Sequence, residues 1–220
     1  MQIKPIRDII LLQKTGSGEK RGKIKVEIRV DELQSLAARF LSEKRFRHTL
    51  GVADCAEDMA RRFGLDTFKA RCAGLVHDLA KEIPLSDQLS LARHWNLLRY
   101  PDDEQHPKLL HGPLAAHFLR HYYRLGDEEI LDAVACHTLG RPGMTPLDML
   151  IYSADWIEPN REFPGVDELR RSLYEDLEQG TFDCMRRAFI DLQEQNLPVH
   201  PLTQLAFEDM QRRRGIDTGS

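Results

Sequence analysis

From Val30 onward, apolar residues recur at the three- and four-residue spacing of helices. Leu33, Leu36, Ala37, Phe40 and Leu41 share one face of a first segment; Asp31 stands where an N-cap would, and Gln34 three residues later could reach back to it. The same period predicts helices at about 46–63, 67–80, 85–95, 112–124, 127–137, 146–157, 166–178, 181–195 and 201–214, with Gly or Pro between most of them. After residue 30 no stretch alternates as a half-buried strand would, and no repeat of about 20 to 50 residues is visible. The pattern predicts one all-α domain over residues 31–214, without an internal linker, and a short tail at 215–220.

The first 30 residues break this pattern. They contain KTGSGEKRGKIK, and eight Lys or Arg stand against three acids. They read as a basic N-terminal extension, a solvated leader rather than a binding arm, in which DIILLQ has the look of one short strand.

Composition narrows the class. A chain of 220 residues can bury roughly 70% of its unfolded surface. With 41% hydrophobic and 30% charged residues it is globular, and a net charge of -4 argues against a general nucleic-acid-binding surface. Cys55, Cys72, Cys136 and Cys184 include no C-x-x-C pair, so they read as buried thiols of a reducing compartment. No apolar run reaches the roughly 18 residues of a membrane span, and the N-terminus lacks a signal-type apolar region. The expectation is a cytoplasmic protein.

The chemistry lies where polar residues interrupt apolar runs. In CAGLVHDLAKE, His77 and Asp78 sit where a helix would place Leu or Ala. His48 (RFRHTLGVA), His111 (LLHGPLAAH), His137 (DAVACHTLG) and Asp155 (LIYSADWIEP) have similar settings. A single interior His is more often a satisfied core residue than a ligand. Six imidazoles and carboxylates at inward positions on several helices, however, form the N/O donor set that suits Fe, Mn, Zn and related cations. Adjacent helical residues project about 100° apart, so His77 and Asp78 can both reach one ion. His94, His106, His117 and His121 have charged, aromatic or proline neighbours and read as surface or second-layer residues.

The order His, His-Asp, His, His, Asp, carried by RFRHTLGVADCA, AGLVHDLAKE, LLHGPLAA and HTLGRPGMTPLDMLIYSADWIEPNREFPGVDELR, resembles the HD-domain phosphohydrolases. It is most similar to their bacterial family of symmetrical bis(5'-nucleosyl)-tetraphosphatases, over about residues 34–212. The resemblance implies an HD-domain helical bundle. It implies that His48, His77, Asp78 and Asp155 ligate a divalent metal, iron first, with Mn, Zn, Co and Mg as alternatives, in a site of one or two ions. His111 and His137 would hold a second metal or face the phosphates, with Asp78, His111 and His137 as the catalytic group.

The same resemblance assigns nucleotide or phosphate contacts to His48, Lys81, Glu82, Ile83, Pro84, His111, His137, Thr138, Asp155 and Arg161. It adds Val199, His200, Pro201, Leu202, Thr203 and Gln204, from PVHPLTQ. The substrate would be a dinucleoside polyphosphate, diadenosine tetraphosphate above all, and ADP the product; a homodimer is within expectation. Where relatives commonly carry Ala-Arg-Asn after that stretch, this chain has Ala206, Phe207 and Glu208. The rival readings are another HD-type nucleotide phosphohydrolase and a catalytically silent nucleotide-binding module. The GYP signature of cyclic dinucleotide phosphodiesterases is absent.

Overall fold

The computed structural model describes residues 29–215; the DIILLQ strand expected at 8–13 lies outside the described residues, as do 216–220. Among the described residues there are eleven α-helices and no strand, the all-α architecture that the apolar period predicts. None of those helices is long and apolar enough to cross a membrane.

Helix α1 (Val30–Phe40) buries Leu33, Leu36, Ala37 and Phe40. Its N-cap lies two residues earlier than the sequence suggests: Arg29 takes that position, and Asp31, bound by the Arg29 guanidinium at 2.8 Å, lies in the first turn. An acid is favoured there by the exposed N–H groups of the helix end. Helix α2 (Glu43–Arg62) is capped by Ser42, whose hydroxyl accepts from Arg45 N. Helix α3 (Thr67–Val76) is capped by Asp66 through Lys69 N at 2.9 Å.

The apolar pattern runs on to residue 80, but α3 stops at Val76 and the next residues form successive turns, with Leu79 N on Val76 O and Lys81 N on Asp78 O. His77 ends the helix with its own side chain. Its Nδ1–H donates to Gly74 O at 2.7 Å, taking a carbonyl that the helix would otherwise have offered to the N–H of residue 78.

Then follow α4 (Leu85–His94), α5 (Asp102–Gln105), α6 (His111–Phe118) closed by a wide π turn at Leu119–Tyr123, and α7 (Glu128–Cys136). Helix α8 (Pro146–Ile157) opens with a capping box between Thr145 and Asp148 and is buried continuously from Asp148 to Ala154. Helices α9 (Val166–Glu175) and α10 (Leu177–Glu194) are split at Asp176, which is extended (φ -148, ψ 114) and caps α10 through Gln179 N. That break falls earlier than the apolar period suggests. Helix α11 (Pro201–Arg213) completes the chain.

The core is made where α2, α3, α7 and α8 pack on one another, with α9 and α10 closing against α8. Val52, Met59, Leu75, Val76, Val134, Leu150 and Ile151 are fully buried there. Truncating one such Leu or Met to Ala typically costs about 2–5 kcal/mol. The four cysteines are free and buried. Phe207 stacks on Phe182 and meets Phe189 at a tilt, with ring-centroid distances of 5.1 and 4.5 Å. It fastens α11 to α10.

Candidate metal centre

Close helix packing delivers the site. A Cβ added to Gly74 would lie 2.6 Å from Ala53 Cα, so the absence of a side chain lets α3 press on α2. That brings the His77 and His48 rings within 5.6 Å. Gly112 does the same for α6 and α7: its added Cβ would meet Ala135 O at 2.8 Å and Val134 O at 2.9 Å. The His111 and His137 rings then meet at 4.8 Å, and His137 lies 4.9 Å from His77. Asp155 enters from the last turn of α8.

Every imidazole of the cluster is oriented by the same kind of bond. Nδ1–H of His77 donates to Gly74 O, that of His111 to Lys108 O and that of His137 to Val134 O, each at 2.7 Å and each to the carbonyl three residues upstream. Nδ1–H of His48 donates to Glu158 Oε1 at 3.1 Å. A carbonyl or carboxylate can only accept, so each neutral ring carries its proton on Nδ1 and turns a bare Nε2 lone pair inward. Hydrogen bonding of the outer nitrogen is how metal-ligating histidines are usually fixed.

The lone pairs converge on two carboxylates. Asp78 Oδ1 lies 3.2 Å from His111 Nε2 and 3.6 Å from His137 Nε2; Asp78 Oδ2 lies 3.6 Å from His77 Nε2 and 3.8 Å from His48 Nε2. His48 Nε2 stands 3.0 Å from Asp155 Oδ1 without the alignment of a hydrogen bond. His48 Nε2, His77 Nε2 and Asp78 Oδ1 are buried and without a hydrogen-bond partner. Orphaned donors and acceptors of this kind each cost about 1–3 kcal/mol, and here they all face one point. His48, His77 and Asp155 place three ligand atoms within 4.8 Å of one another, and His77, Asp78 and His137 do the same. The donor set fits a divalent metal, with two imidazoles and a carboxylate in each group.

Charge is balanced from outside the cluster. Burial alone would raise the Asp78 carboxyl, but His77, His111, His137 and Lys81 hold it well below the usual carboxylate range. Burial likewise opposes ionisation of Asp155, and His48, His77 and Arg161 overcome it. His77 is pushed down to about 4 by burial and stays neutral; burial also lowers His111, helped by His137 and Lys81. His48 goes the other way: burial would lower it, but Asp155 and Glu158 raise it. Arg45 Nη1 donates to Asp78 Oδ2 at 2.9 Å, and Arg161 grips Asp155 through Nη2 to Oδ1 (2.5 Å) and Nε to the carbonyl (2.7 Å). Beside these arginines opens a pocket of about 410 Å³ lined by Lys44, Arg45, Arg47, His48, Asn160 and Arg161 together with Ser42, Glu82 and Glu158.

The family model described as HD domain matches residues 45–160. The chain belongs to the HD-domain family. It is 41% identical over 167 residues to the symmetrical bis(5'-nucleosyl)-tetraphosphatase of Bacillus subtilis (strain 168), which covers 76% of this chain and 89% of that protein. It is 34% identical over 180 residues to the protein of the same name from Staphylococcus aureus (strain NCTC 8325 / PS 47), covering 79% and 90%. Among solved structures it is similar to an HD superfamily hydrolase from Clostridium acetobutylicum, described as involved in NAD metabolism, with a TM-score of 0.81 and 34% identity over 86% of this chain and all of that one.

Of the residues that the sequence of this HD-domain chain nominates, His48, His77, Asp78, His111, His137 and Asp155 gather in one cluster. Lys81 joins them, its Nζ 3.2 Å from His111 Nε2, and so does Thr138, whose hydroxyl lies 3.0 Å from His111 Nε2 and 3.1 Å from His137 Nε2. Arg161 reaches the centre through Asp155. Glu82 spends both carboxylate oxygens on Ser42, at 2.6 and 2.7 Å. Ile83 packs against the core and its carbonyl accepts from the Gln88 side chain; Pro84 is exposed ahead of α4.

The segment 199–204 has partners of its own. His200 is buried, its Nε2 3.1 Å from Asp103 Oδ1 and its Nδ1 accepting from Leu202 N. Val199, Pro201 and Leu202 are half-buried, Thr203 is buried, and Gln204 bonds Glu208. Leu202 lines a separate groove with Arg99, His117 and Arg141. The residues that sequence reasoning passed over are Arg45, Glu158 and Asn160, whose backbone and side-chain N–H groups hold Glu158 Oε2 at 2.8 Å. The signal for two of them was spacing: Arg45 precedes His48 by three residues and Glu158 follows Asp155 by three, one helical turn each.

Proposed function

We propose that this chain is a metal-dependent phosphoanhydride hydrolase that cuts diadenosine tetraphosphate at its midpoint to give two ADP, in the cytoplasm, with related dinucleoside polyphosphates as further substrates. The observation that carries the reading is the clustering of His48, His77, Asp78, His137 and Asp155 into two ligand groups that share His77, with His111 beside Asp78, in a chain that aligns over 89% of the Bacillus tetraphosphatase. Residues 31–214 form the catalytic domain in this reading.

His48, His77, Asp78 and Asp155 hold the metal, for which iron is our first assignment, and His111 and His137 face a second ion or the phosphates. A bound divalent cation supplies charge neutralisation for the polyphosphate and lowers the pKa of water from about 16 to about 7. The protein's own task is positioning. The Asp78 carboxylate, ionised at neutral pH, accepts a hydrogen bond from the attacking water and orients it. Lys81 and Thr138, already pointing at His111 and His137, donate to phosphate oxygens on that side.

The water oxygen bonds to one inner phosphorus as that phosphorus loses its bond to the central bridging oxygen. The bridging oxygen departs with the second ADP, and the water protons pass to solvent. Arg161 keeps Nη1 clear of its bonds to Asp155, so the guanidinium can bind a phosphate without releasing the carboxylate. Beyond the phosphates, the turn Lys81–Pro84 and the segment 199–204 flank one nucleoside.

The test is chromatography of the products after incubation of metal-loaded protein with diadenosine tetraphosphate. ADP as sole product supports the reading. AMP with ATP, adenosine or free phosphate would assign another phosphohydrolase activity, and normal folding with bound nucleotide but no turnover would assign a silent binding module.

A further inference from the structure

Resting on that reading, we infer that the pocket at the start of α2 binds the diphosphate of the departing ADP, through Arg45, Lys44 and Arg47. A cut at the midpoint of a tetraphosphate leaves two phosphates on each side of the broken bond, so the centre must support anionic charge on two flanks. Lys81 and Thr138 stand on the flank of His111 and His137. The other flank is the pocket of about 410 Å³, which His48 joins to the metal centre. Its size lies within the range of about 300–1,000 Å³ usual for small-molecule sites.

The lining of this pocket is cationic and has donors to spare. Arg45 spends only Nη1, on Asp78 Oδ2, and leaves Nη2 and Nε for another partner. Its side chain is 31% exposed, enough to be reached from the pocket. Lys44 makes no ion pair among the described residues. Arg47 has only the exposed Glu43 at 3.0 Å, a pair of the kind that contributes little and yields readily to a stronger anion. The two acids in the lining are already committed: Glu82 to Ser42, and Glu158 to His48 and Asn160. Four cations and no uncommitted carboxylate make a site for a polyanion, with guanidinium forks suited to phosphate oxygens.

Arg45 also ties the pocket to the reaction. Its Nη1 sits on the same Asp78 carboxylate that orients the attacking water, so an anion gripped by its other donors is held in register with that carboxylate. On this account the pocket sets the specificity for a second nucleoside diphosphate rather than a bare phosphate. Arg45 then both binds the diphosphate and positions Asp78, and Lys44 and Arg47 are binding residues.

The experiment compares wild type with the Lys44→Ala/Arg47→Ala double variant, both metal-loaded, by calorimetric titration with ADP and with a diadenosine tetraphosphate whose central bridging oxygen is replaced by methylene. Both substituted side chains are exposed, so the fold is retained; metal content checks it. The expected result is about tenfold weaker binding of the methylene analogue, with ADP affinity and metal content unchanged and KM for diadenosine tetraphosphate raised in step. Arg45→Lys, which keeps the charge beside Asp78 but loses the fork, should weaken the analogue and spare the metal. Unchanged analogue affinity in the double variant would overturn the inference, and so would an equal loss for ADP and analogue, which marks a general field. Wild-type protein that gives no ADP from diadenosine tetraphosphate would instead sink the functional reading beneath it.

Discussion

His111 Nε2 and His137 Nε2 lie 2.9 Å apart, with the Nδ1 of each ring already committed to a carbonyl three residues upstream. A neutral imidazole has one N–H, so two lone pairs face each other, answered from the side by Lys81 Nζ, 3.2 Å from His111 Nε2, and by the Thr138 hydroxyl, 3.1 Å from His137 Nε2. Such an arrangement is favourable once a cation or a polarised phosphate sits between the rings. The contact depends on Gly112, which lets the start of α6 lie on the end of α7.

Gly112→Ala should therefore reduce both stability and turnover. Alanine favours a helix over glycine by about 1 kcal/mol, but its Cβ would stand 2.8 and 2.9 Å from two backbone carbonyls, and overpacking against a rigid partner costs about 1–3 kcal/mol. The clash wins. Urea unfolding should show a net loss of up to about 2 kcal/mol, and displacement of His111 from His137 by a fraction of an ångström should cut kcat by at least about tenfold. A variant as active and as stable as wild type would show that the two rings need not meet.

Glu158 is the buried carboxylate behind His48, held in turn by Asn160. Its removal leaves the His48 ring free to turn and to carry its proton on either nitrogen. For Glu158→Ala, metal titration should give an affinity about 10- to 100-fold below wild type. Glu158→Gln retains an acceptor for Nδ1 and should lose much less. Equal affinities for all three proteins would mean that His48 is oriented by packing alone.

His117 sets a pH dependence of stability away from the metal ligands. Burial, with His121, Arg120 and His94 nearby, pushes its imidazole down to about 4, and its ring stacks on Trp95 at 4.3 Å. Unfolded, the same residue takes a proton near about 6.5. Between those values the unfolded chain binds more protons, so this contribution is whole above pH 6.5 and is lost progressively as pH falls toward 4. Denaturation midpoints of chelator-treated protein should fall between pH 7.5 and 5, and more steeply for wild type than for His117→Phe. Parallel curves would remove His117 from the account.

All six residues of the cluster were legible in the sequence, because His and Asp inside apolar runs contradict their surroundings. Arg45 was not, since a basic residue near a helix start reads as solvated surface until the Asp78 carboxylate, 33 residues away, is found beneath it. Glu158 was hidden for the same reason: an acid after a helix gives no sign of being 2% exposed. Periodicity carried α3 through residue 80 because Leu79 and Ala80 are as apolar and as buried as helical residues, and the end of the helix shows only in its hydrogen bonds, those of the turns at 76–81 and of His77 to Gly74. The tie between His200 and Asp103 joins residues 97 apart and needs three dimensions to be seen.

The central claim is that a metal gathered around Asp78 cuts a dinucleoside tetraphosphate at its midpoint. The measurement that meets it most directly is the rate of ADP formation as metal is titrated into chelator-stripped protein under anaerobic conditions, beside Asp78→Ala. The account predicts no turnover without metal, ADP as the sole product rising until the site saturates at one or two equivalents, and an Asp78→Ala protein that folds yet neither retains metal nor releases ADP. Full turnover in stripped protein, or an active Asp78→Ala, would contradict it.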